Sequence, residues 1–231
     1  MTVASRSDAP RPSAGALRLI EPRTTTPTSV DVSGYINQVS EHCPYLPPSL
    51  SRGLTGWTVY QVATSDTEAV EAEVFHAGVQ AAEWIRPLAT RAHGALVCEN
   101  VVILGGERLG GDHLDLLAWP HWALKNLYAP VGVMLGKFHW GEERHDRAGR
   151  SIPIPPCSFL PVRPAVRKRD PRFLRDTPEL ADTLAVAVDD GRDVFAELPN
   201  DWQAVKAWSS SLLVHHKPSP QPKQLAAALS T

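Results

Sequence analysis

Two histidines and a cluster of charges follow an apolar segment in the middle of the chain. In "GKFHWGEERHDRAGR", residues 136–150, His139 and His145 lie six positions apart. Neutral imidazole is the commonest transition-metal ligand and the usual proton-transfer group near pH 7. HExxH and CxxC are both absent, so spacing selects no established metal motif. We expect His139 and His145 to be catalytic acid–base groups, His145 being also the candidate metal ligand; two surface histidines are the alternative.

A second set of candidates lies on a short predicted helix, "PHWALKNLY". His121 and Lys125 are four positions apart and Tyr128 follows one turn later, so all three share one side of the helix. We predict that this side lines a pocket facing residues 136–150. Lys125 and His121 would bind an anionic substrate, and Tyr128 would donate a hydrogen bond as a catalytic residue. The alternative is that these polar side chains only cover the surface.

Charge is distributed unevenly further along the chain. Residues 144–175 contain nine basic and two acidic residues, whereas residues 176–201 contain eight acidic residues and one arginine. The two segments either neutralise each other across the fold or leave some arginines free for a carboxylate or propionate, which guanidinium forks bind well. Arg144 is the candidate of this segment for binding an anionic substrate.

Other motifs do not fix a reaction. The three cysteines, Cys43, Cys98 and Cys157, are odd in number and widely spaced, which favours a reducing compartment and small buried side chains over a disulfide scaffold. "ILGGERLGGD" contains two glycine pairs but neither GxGxxG nor GK[ST], so it predicts a hairpin or flexible loop. GxSxG is absent, which disfavours a serine hydrolase.

Composition excludes several classes of protein. The formal net charge of −2 and pI near 6.5 lack the basic excess of a dedicated nucleic-acid binder. The longest apolar runs are far shorter than the roughly 20 residues that cross a bilayer, and no secretory signal is evident. We therefore expect a cytoplasmic protein with a small-molecule substrate and with neither nucleic acid nor membrane as partner. Association of identical copies stays open.

The elements that must position these residues follow from periodicity. Strands are predicted at 57–64, "ALVCENVVILGG", "PVGVMLGKF" and "CSFLPVRPAV". Helices are predicted at "SGYINQVSEHCP", "SDTEAVEAEVFHAGVQAAEWIRPLATRA", "WPHWALKNLY", "TPELADTLAVAV" and "NDWQAVKAWSSSLL". This order predicts one α+β domain over 31–214, with a mixed sheet and helices on one face, as a ferredoxin-like sandwich with additions. Residues 1–30 and 215–231 are poor in large apolar residues and are predicted to be a disordered and a flexible tail.

Three segments together carry a resemblance. "CPYLPPSLSRG", "LGKFHWGEERHDRAGRS" and "SFLPVRPAVRKRDPRFL" resemble an uncharacterised actinobacterial domain family of unknown function, often found beside biosynthetic genes. The resemblance covers roughly residues 35–190. It implies a role in biosynthesis but no particular chemistry.

More distantly, the same order of segments is similar to the YqcI/YcgG family, some members of which bind haem and hydroxylate the guanidine of arginine. The corresponding stretch is "RHDRAGRS" followed by "SFLPVRP". This resemblance implies that His145 is the axial ligand and that Arg150 and Arg163 bind the propionates. Trp140 would contribute to an apolar slot for the macrocycle.

Taken together, the sequence predicts a small-molecule tailoring enzyme of secondary metabolism. Its first candidate chemistry is haem-dependent oxidation, as by a monooxygenase, of an amino-acid-like substrate. A second candidate is a cofactor-free isomerase, cyclase or dehydratase with a histidine base. A third is a non-enzymatic accessory protein that docks an acidic partner on residues 144–175.

Overall fold

A computed structural model describes residues 15–107, 109, 115–146, 149–174, 177–198 and 201–214, without the side chains of 213 and 214. The strands are β1 (Leu17–Thr24), β2 (Thr55–Val62), β3 (Cys98–Leu104), β4 (Val133–Leu135), β5 (Arg144–His145), β6 (Ser151–Ile152) and β7 (Ser158–Pro164). The α-helices are α1 (Ser33–Val39), α2 (Leu46–Leu50), α3 (Thr67–Ile85), α4 (Ala118–Tyr128), α5 (Pro178–Ala185) and α6 (Trp202–Val214). Short 3-10 helices cover Arg86–Leu88, Gly94–Leu96, Ala129–Val131 and Asp170–Phe173.

Five strands form one mixed sheet in the order β1-β2-β3-β7-β4, and β5 and β6 form a separate hairpin. β2 and β3 are parallel, and the other pairs of the large sheet are antiparallel. The predicted α+β class with a mixed sheet is confirmed. The sheet differs from a ferredoxin-like one because its parallel strands β2 and β3 are direct neighbours. Residues 63–97, which include α3, connect these two strands.

The long helix α3 covers one face of the sheet, α4 packs against α3 and β4, and α6 packs against α4. The Asp66 carboxylate accepts a hydrogen bond from the Ala69 N–H at 3.1 Å and caps α3, as its sequence predicts. The apolar stripe of α3 then packs on the inward side chains of β3 and β7, Val101 and Leu160 among them. This face holds most of the core.

The opposite face of the sheet is covered by α1, an element that lies apart from the long helices. Tyr35 of α1 meets the Phe159 ring edge-on, with ring centroids 6.1 Å apart, and Trp57 lies 6.0 Å from the same ring. Val59 and Val102 complete this second apolar cluster. The sheet is therefore buried on both faces, which explains why five of the seven residues of β3 are apolar.

The prediction of a disordered tail over residues 1–30 is wrong for its second half, because β1 pairs with β2 as an edge strand. The Glu73 carboxylate of α3 accepts the backbone N–H groups of Gly15, Ala16 and Leu17 at 2.8, 2.9 and 2.6 Å. This anchor from a residue far along the chain has no local sequence signal. The remainder of the predicted tails, residues 1–14 and 215–231, lies outside the described residues.

Two further differences lie near the predicted site. The strand predicted over "PVGVMLGKF" narrows to β4, and Phe138 rejoins the sheet only through a bridge to Phe159. The hairpin β5–β6, which the sequence did not predict, follows within the charged segment. Among the described helices, none combines the length and apolarity that a bilayer crossing requires.

Candidate functional site

A cavity of about 490 Å³ lies on the sheet face opposite α3. Its floor is a row of neighbouring residues on three strands, in which Asn100 of β3 pairs with Trp57 of β2 on one side and with Pro161 of β7 on the other. Alternate side chains of a strand point to opposite faces. The same strands therefore supply both the floor of the cavity and the core beneath α3.

The walls come from elements on several sides of this floor. α1 contributes Tyr35, Ile36 and Val39, and Cys43 and Leu46 follow it. The opposite wall consists of side chains from α4, the segment after β4, the hairpin, and Phe173. Most of these side chains are apolar, so the cavity can hold the body of a small organic molecule.

Four of the candidates predicted from the sequence line this one cavity: His121, Lys125, Arg144 and Arg163. They come from α4, β5 and β7, and a fifth basic residue, Lys137, joins them. The cavity thus brings the predicted α4 residues and part of the charged segment together, as the sequence suggested for a pocket between them.

Lys125 has no acidic partner in the part of the chain that the structure describes. Among the described residues, its ammonium group makes no hydrogen bond or ion pair, whereas Lys206 lies 2.9 Å from the Glu71 carboxylate. Burial, and secondly the nearby charge of Lys137, lower the pKa of Lys125 to about 8. With this pKa, most of the Lys125 amine is protonated at pH 7 and can bind an anion. The smaller neutral fraction has a lone pair that can act as a base or as a nucleophile.

His121 lies one helical turn before Lys125 and is neutral at pH 7. Burial is the main cause that lowers the pKa of His121 to about 3, with the charges of Lys125 and Lys137 adding to it. Its Nε2 lies 3.3 Å from the carbonyl oxygen of Leu135. This contact makes Nε2–H the donor and leaves Nδ1 as an acceptor.

The two arginines of the cavity are already paired. Arg163 donates to both carboxylate oxygens of Asp170 at 2.8 and 2.9 Å. The Nη2 of Arg144 lies 2.8 Å from the Glu142 carboxylate, as an ion pair without aligned hydrogen-bond geometry. Both guanidinium groups therefore add positive potential to the cavity, but the carboxylates of Asp170 and Glu142 neutralise much of their charge.

Two hydrogen-bond donors in the cavity wall lack a partner. The Tyr35 hydroxyl and the Trp57 Nε1–H are both buried, and neither makes a hydrogen bond within the described part of the chain. A buried donor without an acceptor is unfavourable by roughly 1–3 kcal/mol. Neither atom is accessible to water, so the two donors are an unfavourable feature of the packing around the cavity and are not exposed to a ligand.

The other residues of the charged segment point elsewhere. Side chains of adjacent strand residues face opposite sides, so Arg144 of β5 faces the cavity while His145 is exposed, 3.5 Å from the Ser151 hydroxyl. Arg150 is also exposed and pairs with Asp146 at 2.7 Å. Neither His145 nor Arg150 lines the cavity.

The remaining candidates are separated from the cavity as well. Tyr128 is fully buried and donates a hydrogen bond to Glu83 at 2.9 Å, on the α3 side of α4. His139 is buried with no partner for Nδ1 among the described residues, and burial is the main cause that lowers its pKa. Trp140 borders a second, smaller hollow of about 330 Å³ near Cys157.

The residues that the resemblance assigns to haem do not fit that group, because His145, Arg150 and Arg163 do not face one site. His145, the proposed axial ligand, points outward because adjacent side chains of β5 face opposite sides. Within the described ranges, no set of three or more His, Cys, Asp or Glu side chains could hold a metal ion.

The sequence analysis did not predict the floor of the cavity or its wall on α1. Asn100 is a polar residue within a buried strand, and such a residue is a signal of a site that could have been used. Tyr35 and Trp57 gave no such signal, because buried aromatic residues are most often core. Lys137 lies between a glycine and a phenylalanine, and it was not predicted because the analysis of this segment considered its histidines and arginines.

Comparison with known families gives one match. Residues 38–197 match the family described as Domain of unknown function (DUF6875). This match covers most of the chain, includes every element that contributes to the floor of the cavity, and confirms the resemblance to a domain family of unknown function. The similarity to the YqcI/YcgG family stays a prediction. No curated protein and no solved structure gives a significant match.

Proposed function

This chain belongs to the DUF6875 family, and we propose that it is a small-molecule enzyme whose substrate is an organic anion with an apolar body, bound in the cavity between α1 and α4. The observation that carries the proposal is the unpaired ammonium group of Lys125 in a mostly apolar cavity of about 490 Å³. An anionic group of the ligand would supply the partner that Lys125 lacks.

The charges of the cavity wall support an anion in particular. Lys125, Lys137, Arg144 and Arg163 line the cavity, whereas no aspartate or glutamate is among its described lining residues. Charged hydrogen bonds to a carboxylate are about twice as strong as neutral ones. The rest of the lining is mostly apolar and fits the body of such a ligand.

The same lining narrows the substrate class. The α-ammonium group of an amino acid would meet no counter-ion among the described side chains, so a carboxylate without a charged amine fits better than the amino-acid-like substrate expected from sequence. We propose cofactor-free chemistry in which Lys125, rather than a histidine, is the reacting group. A biosynthetic role is part of the same proposal.

A pair of matched ligands tests this function. Phenylacetate and its neutral isostere phenylacetamide would be titrated into the protein, with binding followed by calorimetry. We expect the carboxylate to bind about tenfold more tightly, since one charge-assisted contact contributes roughly 1.5 kcal/mol. Lys125→Met should remove the difference between the two ligands.

The control variant is Lys168→Met, because Lys168 is an exposed lysine that does not line the cavity. It should keep the preference for the carboxylate. Equal affinities of the wild-type protein for acid and amide would refute the proposal, as would a preference that survives in Lys125→Met.

A further inference from the structure

Lys125 is held on a rigid element. Its helix is anchored by the Trp122 indole, which donates to the Ser209 carbonyl oxygen at 2.9 Å, and by the hydrogen bond from Tyr128 to Glu83. Leu124, next to Lys125, is fully buried against α3. A side chain on such a helix keeps its position in the cavity, which is a requirement for a reacting group.

The surroundings favour the neutral amine of Lys125. The titratable and charged groups that share the cavity with it are His121, Lys137, Arg144, Arg163, Cys98, Cys43 and Tyr35. None of these is a carboxylate, and the positive charge of Lys137 adds to burial in disfavouring the ammonium form of Lys125. A desolvated lysine next to another cation is a typical amine nucleophile.

The cavity also offers donors for an electrophile. A carbonyl carbon is activated when its oxygen accepts hydrogen bonds. Lys137 and Arg144 line the same cavity as Lys125, and each can donate to a carbonyl or carboxylate oxygen. An oxo-acid, which has both groups on one apolar body, therefore matches the amine of Lys125 together with these cations.

We propose that Lys125 forms an imine with the aldehyde or ketone carbonyl of a bound oxo-acid. The neutral Nζ attacks the carbonyl carbon and forms a C–N bond, and a proton passes from nitrogen to oxygen to give a carbinolamine. The C–O bond then breaks, and the oxygen leaves as water with the second proton of the nitrogen. No oxidant or reductant is needed. This inference rests on the proposed function and specifies its substrate class.

Reductive trapping tests the imine. The protein would be incubated at pH 7.5 with 4-carboxybenzaldehyde and sodium cyanoborohydride, and the modified lysines would be located by peptide mass spectrometry. At this pH the neutral fraction of an amine with a pKa of about 8 is on the order of 100-fold larger than that of an ordinary lysine. We expect Lys125 to be labelled at least about tenfold faster than the exposed Lys168, and phenylacetate to slow the labelling of Lys125 alone.

One variant separates imine formation from anion binding. Lys125→Arg keeps a cation in the cavity but cannot form the imine, so it should retain phenylacetate binding and lose the label. Labelling of Lys125 no faster than that of Lys168, or faster labelling of Lys137, would overturn the inference. If phenylacetate is still preferred to phenylacetamide in that case, the proposed function stands while the imine is refuted.

Discussion

Arg163 and Asp170 form a two-pronged ion pair that fixes one wall of the cavity. Both oxygens of the Asp170 carboxylate accept from the guanidinium group, and one of them also accepts the backbone N–H of Val166 at 2.6 Å. Asp170 is fully buried, and Arg163 lies with its guanidinium carbon 5.7 Å from the centre of the Tyr45 ring. The pair ties the end of β7 to the 3-10 helix that follows it.

We expect Asp170→Asn to lower the free energy of unfolding by about 3 kcal/mol, because it leaves a largely buried guanidinium group without its counter-ion. Urea denaturation would measure the change. Asp190→Asn is the matched control, since the Asp190–Arg192 pair is exposed on both sides and its loss should leave stability nearly unchanged. Equal effects of the two substitutions would contradict the structural role given to Asp170.

Lys125→Met should stabilise the protein at pH 7, by about 1–3 kcal/mol, because it removes a poorly solvated ammonium group. The pKa of Lys125 is about 8 in the folded chain, below the ordinary value of about 10.4. The unfolded chain therefore binds more protons between these two values, and the wild-type protein gains stability as pH rises through that window. The advantage of the variant should shrink over the same range, as denaturation series at pH 7 to 10.5 would reveal. Lys168→Met, at an exposed position outside the cavity, is the matched control.

Gly94→Ala should lower the free energy of unfolding by about 2 kcal/mol. A Cβ on Gly94 would overlap the backbone carbonyl oxygens of Leu88 and Ala89, and no change of rotamer relieves that overlap. Gly34→Ala is the matched control in α1, where a Cβ would meet nothing within 4 Å, and it should be neutral or stabilising by about 0.5–1 kcal/mol. Thermal unfolding of both variants would decide, and a stabilising Gly94→Ala would contradict the packing described there.

His42→Ala should loosen the hairpin that carries Arg144 into the cavity. The Nδ1 of His42 lies 3.3 Å from the Asp146 carboxylate, a contact between the segment after α1 and the hairpin. Its loss should speed hydrogen exchange of the Asp146 amide about tenfold, as expected for a contact of roughly 1.4 kcal/mol. The amide donates to the Arg150 carbonyl oxygen at 2.8 Å, so it reports on the hairpin directly.

His145→Ala is the control for that experiment, because His145 lies on the same hairpin but is exposed and makes only a 3.5 Å contact with Ser151. It should leave both the exchange rate and the binding of phenylacetate unchanged. A large effect of His145→Ala on binding would favour the role for His145 that the resemblance implies.

The elements with strong local signals could be predicted from sequence. α3 has a cap, acidic residues near its start and a continuous apolar stripe, and the structure places it at Thr67–Ile85. β1 could not be predicted, because its stability depends on pairing with β2 and on Glu73, which is distant along the chain. Local pattern reports what a segment can bury, but it does not report which distant partner supplies the missing hydrogen bonds.

The candidate site was predictable in part for a related reason. The α4 spacing placed His121 and Lys125 on one side of a helix, and both line the cavity. The choice between Arg144 and His145 depended on which residue of a two-residue strand faces inward, and a shift of one residue reverses that choice. Sequence alone contains no information on this register, since the hairpin has no apolar face to define it.

The alternation of side chains along β2, β3 and β7 has a consequence for how this domain can diversify. The cavity is lined by Trp57 of β2, Asn100 of β3, and Phe159, Pro161 and Arg163 of β7, whereas alternate residues such as Val101 and Leu160 pack beneath α3. Substitutions at the cavity-lining positions can therefore change which ligands the domain binds, while the helix-facing positions keep the scaffold intact.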